Sequence, residues 1–276
     1  MSTNILIIGE TSFLASGIYQ QCIGNPHINL TRVSHSNLPD SYAGFDWVIN
    51  CAFNNELYST EININNNFDF HIIHAIKKYK NIKYLFLSSR AVYGNHFQLI
   101  KFDESFEAES HSITQYGLNK LECEDMILNE LGESRVLICR CANITGIRTG
   151  TNFLGIAQES LMRSNEIILD ISKNVVKDFL PLPSFSLAIE SLVVNNIVGV
   201  YNIGSGIGLS LEELCRSLIA GYGGGLIKEG SNIMNDQFIL DISNLKEAIN
   251  FTITKESILS YIYFIGQSLK EKSHGI

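Results

Sequence analysis

The sequence predicts an α/β protein built on a doubly wound parallel sheet. Three observations carry that prediction. Short runs rich in apolar residues, at Asn4–Ile8, Phe45–Ala52, Ile82–Leu87 and Glu133–Arg140, have the length of strands buried on both faces. Segments with a helical period alternate with these runs along most of the chain, as βαβ units require. The first run passes at once through a glycine turn, Gly9-Glu10-Thr11-Ser12, into a helical pattern that runs to about Gln21.

The bulk properties set the class. The chain has 276 residues, enough for one large domain or two closely joined lobes. A hydrophobic content of 45% with 17% charged residues excludes a disordered chain. The net charge of −8 and the lack of a Lys/Arg stripe argue against a nucleic-acid partner. The longest uncharged run, Ser191 to Leu211, is broken by Asn195, Asn196, Gly199, Gly204, Gly206 and Gly208, so no membrane span is expected. The N-terminus leads straight into a strand rather than a signal peptide, and a cytoplasmic protein is expected. Cys22, Cys51, Cys123, Cys139, Cys141 and Cys215 lie largely in apolar runs, and are expected as reduced buried thiols with neither a metal nor disulfides.

Taken in order, the turn after the first strand comes first. A strand, a glycine turn and a helix N-terminus together can hold a pyrophosphate. The dinucleotide fingerprint places glycine at 9, 12 and 15, whereas this chain has Gly9, Ser12 and Ala15. Alanine at the third place only tightens helix–strand packing. Ser12 is the real departure, because a side chain stands where backbone should approach phosphate. Alone, the turn reads equally well as a dinucleotide site, with Gly9, Thr11, Ser12, Phe13 and Leu14 in contact, or as an ordinary strand-to-helix turn. The second strand, about Ile28 to Ser34, ends in Arg32-Val33-Ser34-His35-Ser36-Asn37, with no acid for a ribose 2′-hydroxyl. Ser34, His35, Ser36 and the nearby Arg32 suit a 2′-phosphate, so NADP(H) is the expected cofactor and NAD the alternative. The third strand end supplies Cys51, Ala52 and Phe53.

Glu61 to Tyr79 reads as a helix with Ile64, Phe68, Ile72, Ile73 and Ile76 near a period of three to four. Asn65 within it is either an inward hydrogen-bonding residue or part of a polar helix start. Ile82–Leu87 then ends in Ser88-Ser89, and Asn95–Ser112 is acidic and expected as a surface loop. Tyr116 to Leu131 is helical, which puts Tyr116 and Lys120 on one face. Beyond it come a strand near Glu133–Arg140, a Gly/Thr/Arg-rich segment to Asn152 that could line a pocket, and a helix at Phe153–Arg163. A strand and helix start over Val175–Leu187 and a strand at Val200–Ser205 follow. Ser210 with Glu213 forms a capping box, and the final helix covers Ile253–Lys272.

Ser89, Tyr116 and Lys120 can together move a hydride and a proton. Tyrosine has a free pKa of about 10 and is a poor acid–base near neutrality. An ammonium beside it favours the phenolate, and Lys120 is placed to supply one. Ser89 would donate a hydrogen bond to a substrate carbonyl, where charge grows. The hydride must come from a cofactor, which makes Tyr116 and Lys120 cofactor contacts as well.

With these residues, the chain resembles an extended short-chain dehydrogenase/reductase of the NAD-dependent epimerase/dehydratase family over nearly its full length. The resemblance is carried by Gly9–Ala15, Asp46–Ala52, Ser88–Gly94 and Tyr116–Lys120, supported by Arg140–Gly146, Lys177-Asp178-Phe179 and Tyr201–Gly206. It implies a Rossmann domain, here 1–145 and 176–205, with a small C-terminal substrate-binding lobe, here 146–175 and 206–276. It also implies a nucleotide-linked sugar as substrate, Arg90 and Asn143 as substrate contacts, and a homodimer built from the helices around 65–79 and 116–131. Family dehydratases carry Asp-Glu after the catalytic hydroxyl, whereas here the residues are Arg90-Ala91, which argues against dehydration. Family epimerases carry the acid after the second strand that this chain lacks. The expectation is an NADPH-dependent reductase of a nucleotide-linked 4-keto (6-deoxy) sugar. The alternatives are a 4-epimerase with tightly bound NAD and a non-catalytic dinucleotide sensor.

Overall fold

Six parallel strands form the central sheet, in the spatial order 28–33, 3–8, 47–50, 83–89, 136–141 and 199–203. In the computed structural model, which describes residues 2–63, 65–147 and 152–274, these are β1 (Thr3–Ile8), β2 (Ile28–Val33), β3 (Trp47–Asn50), β4 (Lys83–Ser89), β6 (Val136–Cys141) and β10 (Gly199–Ile203). The remaining strands are β5 (Ile100–Phe102), β7 (Asn143–Thr145), β8 (Glu166–Leu169), β9 (Val176–Pro181), β11 (Gly208–Ser210), β12 (Leu226–Glu229) and β13 (Phe238–Leu240). The helices are α1 (Phe13–Cys22), α2 (Phe68–Ile76), α3 (Gln115–Leu131), α4 (Phe153–Ser164), α5 (Leu182–Val194), α6 (Leu211–Tyr222), α7 (Ser243–Ile249) and α8 (Lys255–His274).

Strand alternation sorts the apolar residues onto two faces. Ile5, Ile7, Ile49, Leu85 and Leu137 pack with Ala15 and Ile18 of α1 and Phe185 and Ile189 of α5. Leu6, Ile8, Val48, Tyr84 and Phe86 pack on the other face with Ile72 and Ile73 of α2 and Ile127 of α3. Both faces are covered, which is why these strands read as continuous apolar runs. The register pairs Ile8 with Val33 and Asn50, Asn50 with Phe86, and Ser89 with Cys141. The carboxyl ends of β2, β1 and β3 are level with one another, and β4, β6 and β10 end together three residues further on. The order reverses between β1 and β3, and such switch points open a crevice at the strand ends.

A third core lies beside this sheet, where Leu161 of α4, Phe179 of β9, Leu214 and Leu218 of α6, and Ile262 and Ile265 of α8 meet. Buried Asp178 ties β9 to its neighbours, accepting hydrogen bonds from Ser205 N (2.8 Å), Ser205 Oγ (2.7 Å), Gly206 N (3.0 Å) and Leu240 N (3.2 Å). Burial pushes its carboxyl above the ordinary range, against the pull of those donors.

Two expectations are corrected. The helix expected over 61–79 begins only at Phe68. The asparagine side chains satisfy the preceding backbone themselves: Asn63 Oδ1 accepts from Asn65 N (2.9 Å) and Asn66 N (3.2 Å), Asn66 Oδ1 accepts from Asn63 N (2.8 Å), and Asn67 caps α2. Ile64, placed on that helix, lies outside the described residues. Asn65 is exposed, and the inward role falls to Asn67, whose Nδ2 meets Cys123 Sγ at 2.9 Å. The expected surface loop 95–112 contains β5, which pairs with β13 and buries Phe102 completely. Its partner lies well over a hundred residues downstream, where no local pattern reveals it.

Candidate active site

The switch point opens into a cleft of about 660 Å³. Gly9 forms its floor at φ +87°, and a Cβ there would stand 2.6 Å from Ala52 N. Only glycine lets β1 and β3 come this close. Ser12 resolves the departure from the glycine fingerprint: it is the N-cap of α1, its Oγ accepting from Ala15 N at 3.1 Å. The hydroxyl thus occupies one of the N–H groups that an anion would use. Gly9, Thr11, Ser12, Phe13 and Leu14 all line the cleft.

At the β2 tip the three expected residues separate. His35 lines the cleft, with its ring 4.5 Å from that of Phe68. Ser34 and Ser36 bond each other at 2.9 Å and are not part of the lining. Arg32 lies over the Tyr19 ring, 3.6 Å from its centroid. Cys51, Ala52 and Phe53 line the middle of the cleft. Burial pushes the Cys51 and Cys141 thiols up to about 12.

Ser89, Tyr116 and Lys120 come together in the cleft. Ser89 ends β4, and its Oγ accepts from Ala91 N at 3.2 Å, so its own O–H remains available to a group in the cleft. Thr114 caps α3, and Gly117 lets the helix rest directly on the carbonyl of Ala91. That contact sets Tyr116 beside the Ser89 turn. The Tyr116 ring is held edge-on to Phe53 (5.5 Å) and against Tyr58 (5.0 Å). Lys120 is buried and donates to Leu87 O at 2.8 Å. Burial lowers its pKa, but the attraction of Tyr116 and then Asp69 outweighs this and raises it above the ordinary lysine value, which favours the ammonium.

A buried polar layer supports the site. Ser88 donates to Glu124, which pairs with Arg140 at 2.7 Å; Arg140 in turn reaches Tyr93 Oη at 3.2 Å. Asp69 accepts from Asn50 Nδ2 (2.8 Å) and from the Tyr84 hydroxyl (2.5 Å). Tyr58, Phe68 and Asp69 also line the cleft, where no sequence motif marks them. The only signal was a polar Asn50 and Asp69 among apolar neighbours.

The two expected substrate contacts differ. Asn143 lines the cleft and donates to Asp178 O at 3.1 Å. Arg90 is not part of the lining; its guanidinium pairs with Asp236, through Nη2 to Oδ2 at 2.7 Å, and lies over Phe238. Arg148 to Thr151, within the expected pocket segment, lie outside the described residues, while Asn152 lines the cleft. Among the described residues no helix is long and apolar enough to cross a membrane.

Comparisons with known proteins find the same fold. The fold is that of a UDP-N-acetylglucosamine 4-epimerase from Methanobrevibacter ruminantium M1 in complex with UDP-N-acetylmuramic acid (TM-score 0.83, 17% identity, 99% of this chain and 100% of the other). It is also that of a dTDP-glucose 4,6-dehydratase from Bacillus anthracis str. Ames in complex with NAD (0.77, 17%, 99% and 98%). RMD from Pseudomonas aeruginosa complexed with NADPH is similar as well (0.75, 18%, 98% and 100%). No curated protein matches by sequence. Residues 5–167 match the NAD dependent epimerase/dehydratase family. That match spans more than half of the sequence, and the chain therefore belongs to this family of NAD-dependent enzymes.

Proposed function

We propose that this protein is a reductase that uses NADPH to convert the keto group of a nucleotide-linked sugar, a 4-keto (6-deoxy) sugar, to an alcohol. The observation that carries the reading is the convergence of Ser89, Tyr116 and charged Lys120 on one cleft, with Arg90-Ala91 where a dehydratase would carry acids. The cleft fits a dinucleotide: a floor that only Gly9 permits, the α1 N-terminus beside it, and His35 at the far strand tip. When bound, the nicotinamide supplies the hydride. Ser89 donates its hydrogen bond to the carbonyl oxygen and holds the developing charge. Tyr116 gives its phenolic proton to that oxygen and recovers one from solvent. Lys120 stabilises the phenolate in between, anchored by Leu87 O so that its charge stays beside Tyr116. His35, with Arg32 and the hydroxyls of Ser34 and Ser36 nearby, is assigned to the 2′-phosphate. The lobe of residues 146–175 and 206–276 is assigned to the nucleotide sugar, with Asn143 at the boundary. A homodimer through α2 and α3 belongs to the same proposal.

A second reading, a 4-epimerase holding NAD, rests on the missing acid pair, which an epimerase also lacks, and on the fold shared with the 4-epimerase above. Incubation with NADPH and a nucleotide 4-keto sugar separates the two. The reductase consumes NADPH stoichiometrically, whereas the epimerase is purified with NAD and consumes none. Stabilisation by NADPH without turnover of any keto sugar would point to a sensor. A preference for NADH that His35→Ala leaves unchanged would remove the 2′-phosphate assignment.

A further inference from the structure

Among the described residues, the lining of the cleft carries one carboxylate, Asp69, and one lysine, Lys120. Both are buried, with exposures of 7% and 8%. They lie over the same face of the sheet. Asn50 and Phe86 are register partners on β3 and β4; Asn50 Nδ2 donates to Asp69 Oδ1 at 2.8 Å, and Lys120 Nζ stands 4.6 Å from the centroid of the Phe86 ring. The two helices meet beside them, where Asn67, just before Asp69, touches Cys123, just after Lys120, at 2.9 Å. The Tyr84 hydroxyl is a second donor to Asp69 Oδ1, and burial, then the Asp69 charge, holds that hydroxyl well above its ordinary range. Asp69 Oδ2 has no hydrogen-bond partner among the described residues. The other ionisable groups packed around the pair give Lys120 no free counter-charge among the described residues. Glu124, one turn further along α3, is held by Ser88 and Arg140. Burial pushes the thiols of Cys51, Cys123 and Cys141 up to about 12. His35 lies against the ring of Phe68.

We infer that Asp69 is the buried counter-charge of Lys120, and that it holds the ammonium charged while Tyr116 still carries its proton and so sets the pH at which the pair releases that proton. The inference rests on the proposed function, because it takes Tyr116 and Lys120 as the proton-transfer pair. Before the proton moves, Tyr116 is neutral and offers Lys120 no counter-charge. Leu87 O at 2.8 Å and the Phe86 ring are then its close contacts, and a buried charge with no more than these is costly. Asp69 offsets that cost from a distance. No ion-pair contact joins the two among the described residues, so Lys120 Nζ stays at Leu87 O beside Tyr116 and is not drawn away to the acid. Once the proton has moved, the ammonium attracts the phenolate and Asp69 repels it, which favours return of a proton to the ring. Asp69 is thus a positioning residue that acts on Tyr116 through Lys120 and through its own field.

The test follows the titration of the pair in Asp69→Asn, which removes the charge and keeps an acceptor for Asn50 and Tyr84. Without the carboxylate the ammonium is held less firmly and the phenolate is no longer repelled, and both effects let the proton go at lower pH. Tyrosinate absorbance of the free protein, taken as the difference between each protein and its Tyr116→Phe counterpart, reads this without substrate or cofactor, so it stands even if the reductase reading fails. The midpoint should fall by about one unit in Asp69→Asn. Where the protein reduces a keto sugar, the basic limb of its pH–rate profile should move the same way. Asp69→Glu, which restores the charge, should return the midpoint towards that of the wild type. Tyr84→Phe, which removes a hydrogen bond and leaves the charge, should lower stability without moving the midpoint by as much. Asp69→Ser, neutral and smaller, gives the same reading in case Asp69→Asn does not fold. A midpoint unchanged or raised in the neutral variants overturns the inference. So does an equal fall in Tyr84→Phe, which would mark the role as structural.

Discussion

Gly9→Ala tests the cleft at its narrowest point. The added Cβ would lie 2.6 Å from Ala52 N, 2.9 Å from Cys51 C and 3.0 Å from Ala52 Cα. All three are backbone atoms of the neighbouring strand end, so no side chain can swing aside. The residue would also have to keep φ +87°, since its N–H bonds Val33 O at 2.9 Å and its carbonyl closes the turn to Ser12 N. The left-handed backbone costs an alanine about 1–2 kcal/mol. Forcing a methyl into a packed site costs about 1–3 kcal/mol more. The sum, about 2–5 kcal/mol, corresponds to a melting temperature lower by about 4–20 °C in a chain of this size. Because the clash separates β1 from β3 at the cleft floor, NADPH affinity should fall at least about tenfold. Thermal melting and fluorescence titration with NADPH read the two effects. A Gly9→Ala protein that melts with the wild type and binds NADPH equally would refute the argument that the close strand approach builds the site.

Ser12→Gly should bind NADPH more tightly while losing only a few tenths of a kcal/mol, about the cost of a glycine N-cap, because it frees Ala15 N for phosphate; weaker binding in calorimetry would contradict this. Glu124→Gln leaves the Arg140 guanidinium buried without its counter-charge, and chemical denaturation should show a loss of about 3–5 kcal/mol. A loss below 1 kcal/mol would mean, as for exposed pairs, that the pair contributes little. Asp241 is held down to about 2, first by Ser243 and also by Lys101. Its folded pKa lies below the unfolded value of 3.8, so its contribution is complete above that value and is lost as pH falls towards 2. The stability difference between wild type and Asp241→Asn should therefore shrink across that acid window. A constant difference there would contradict the assignment.

Much of the fold was legible because burial on both sheet faces imposes continuous apolar runs, and Leu85–Leu87 or Ile5–Ile8 could hardly be anything else. Ser89, Tyr116 and Lys120 were legible because a strand end and an i, i+4 helix face fix directions without any tertiary knowledge. What was missed depended on contacts distant in sequence. β5 is a strand only because β13 lies beside it. The asparagines of 63–67 form turns because their side chains satisfy the local backbone, which a hydrophobic period cannot register. Ser12 departs from the glycine fingerprint in the sequence itself, but its capping role depends on where α1 begins. Asp236, the carboxylate that Arg90 meets, lies 146 residues away, beyond the reach of any local pattern.

The central claim is that Tyr116 protonates a keto sugar as NADPH reduces it. Single-turnover reduction of a nucleotide-linked 4-keto-6-deoxy sugar with NADPH deuterated at the transferable position tests this most directly. The account predicts one equivalent of oxidised cofactor per sugar, deuterium on the former carbonyl carbon, and a rate at least about 10²-fold lower in Tyr116→Phe with NADPH affinity retained. Absence of deuterium from the sugar, or a Tyr116→Phe protein as fast as the wild type, would contradict it.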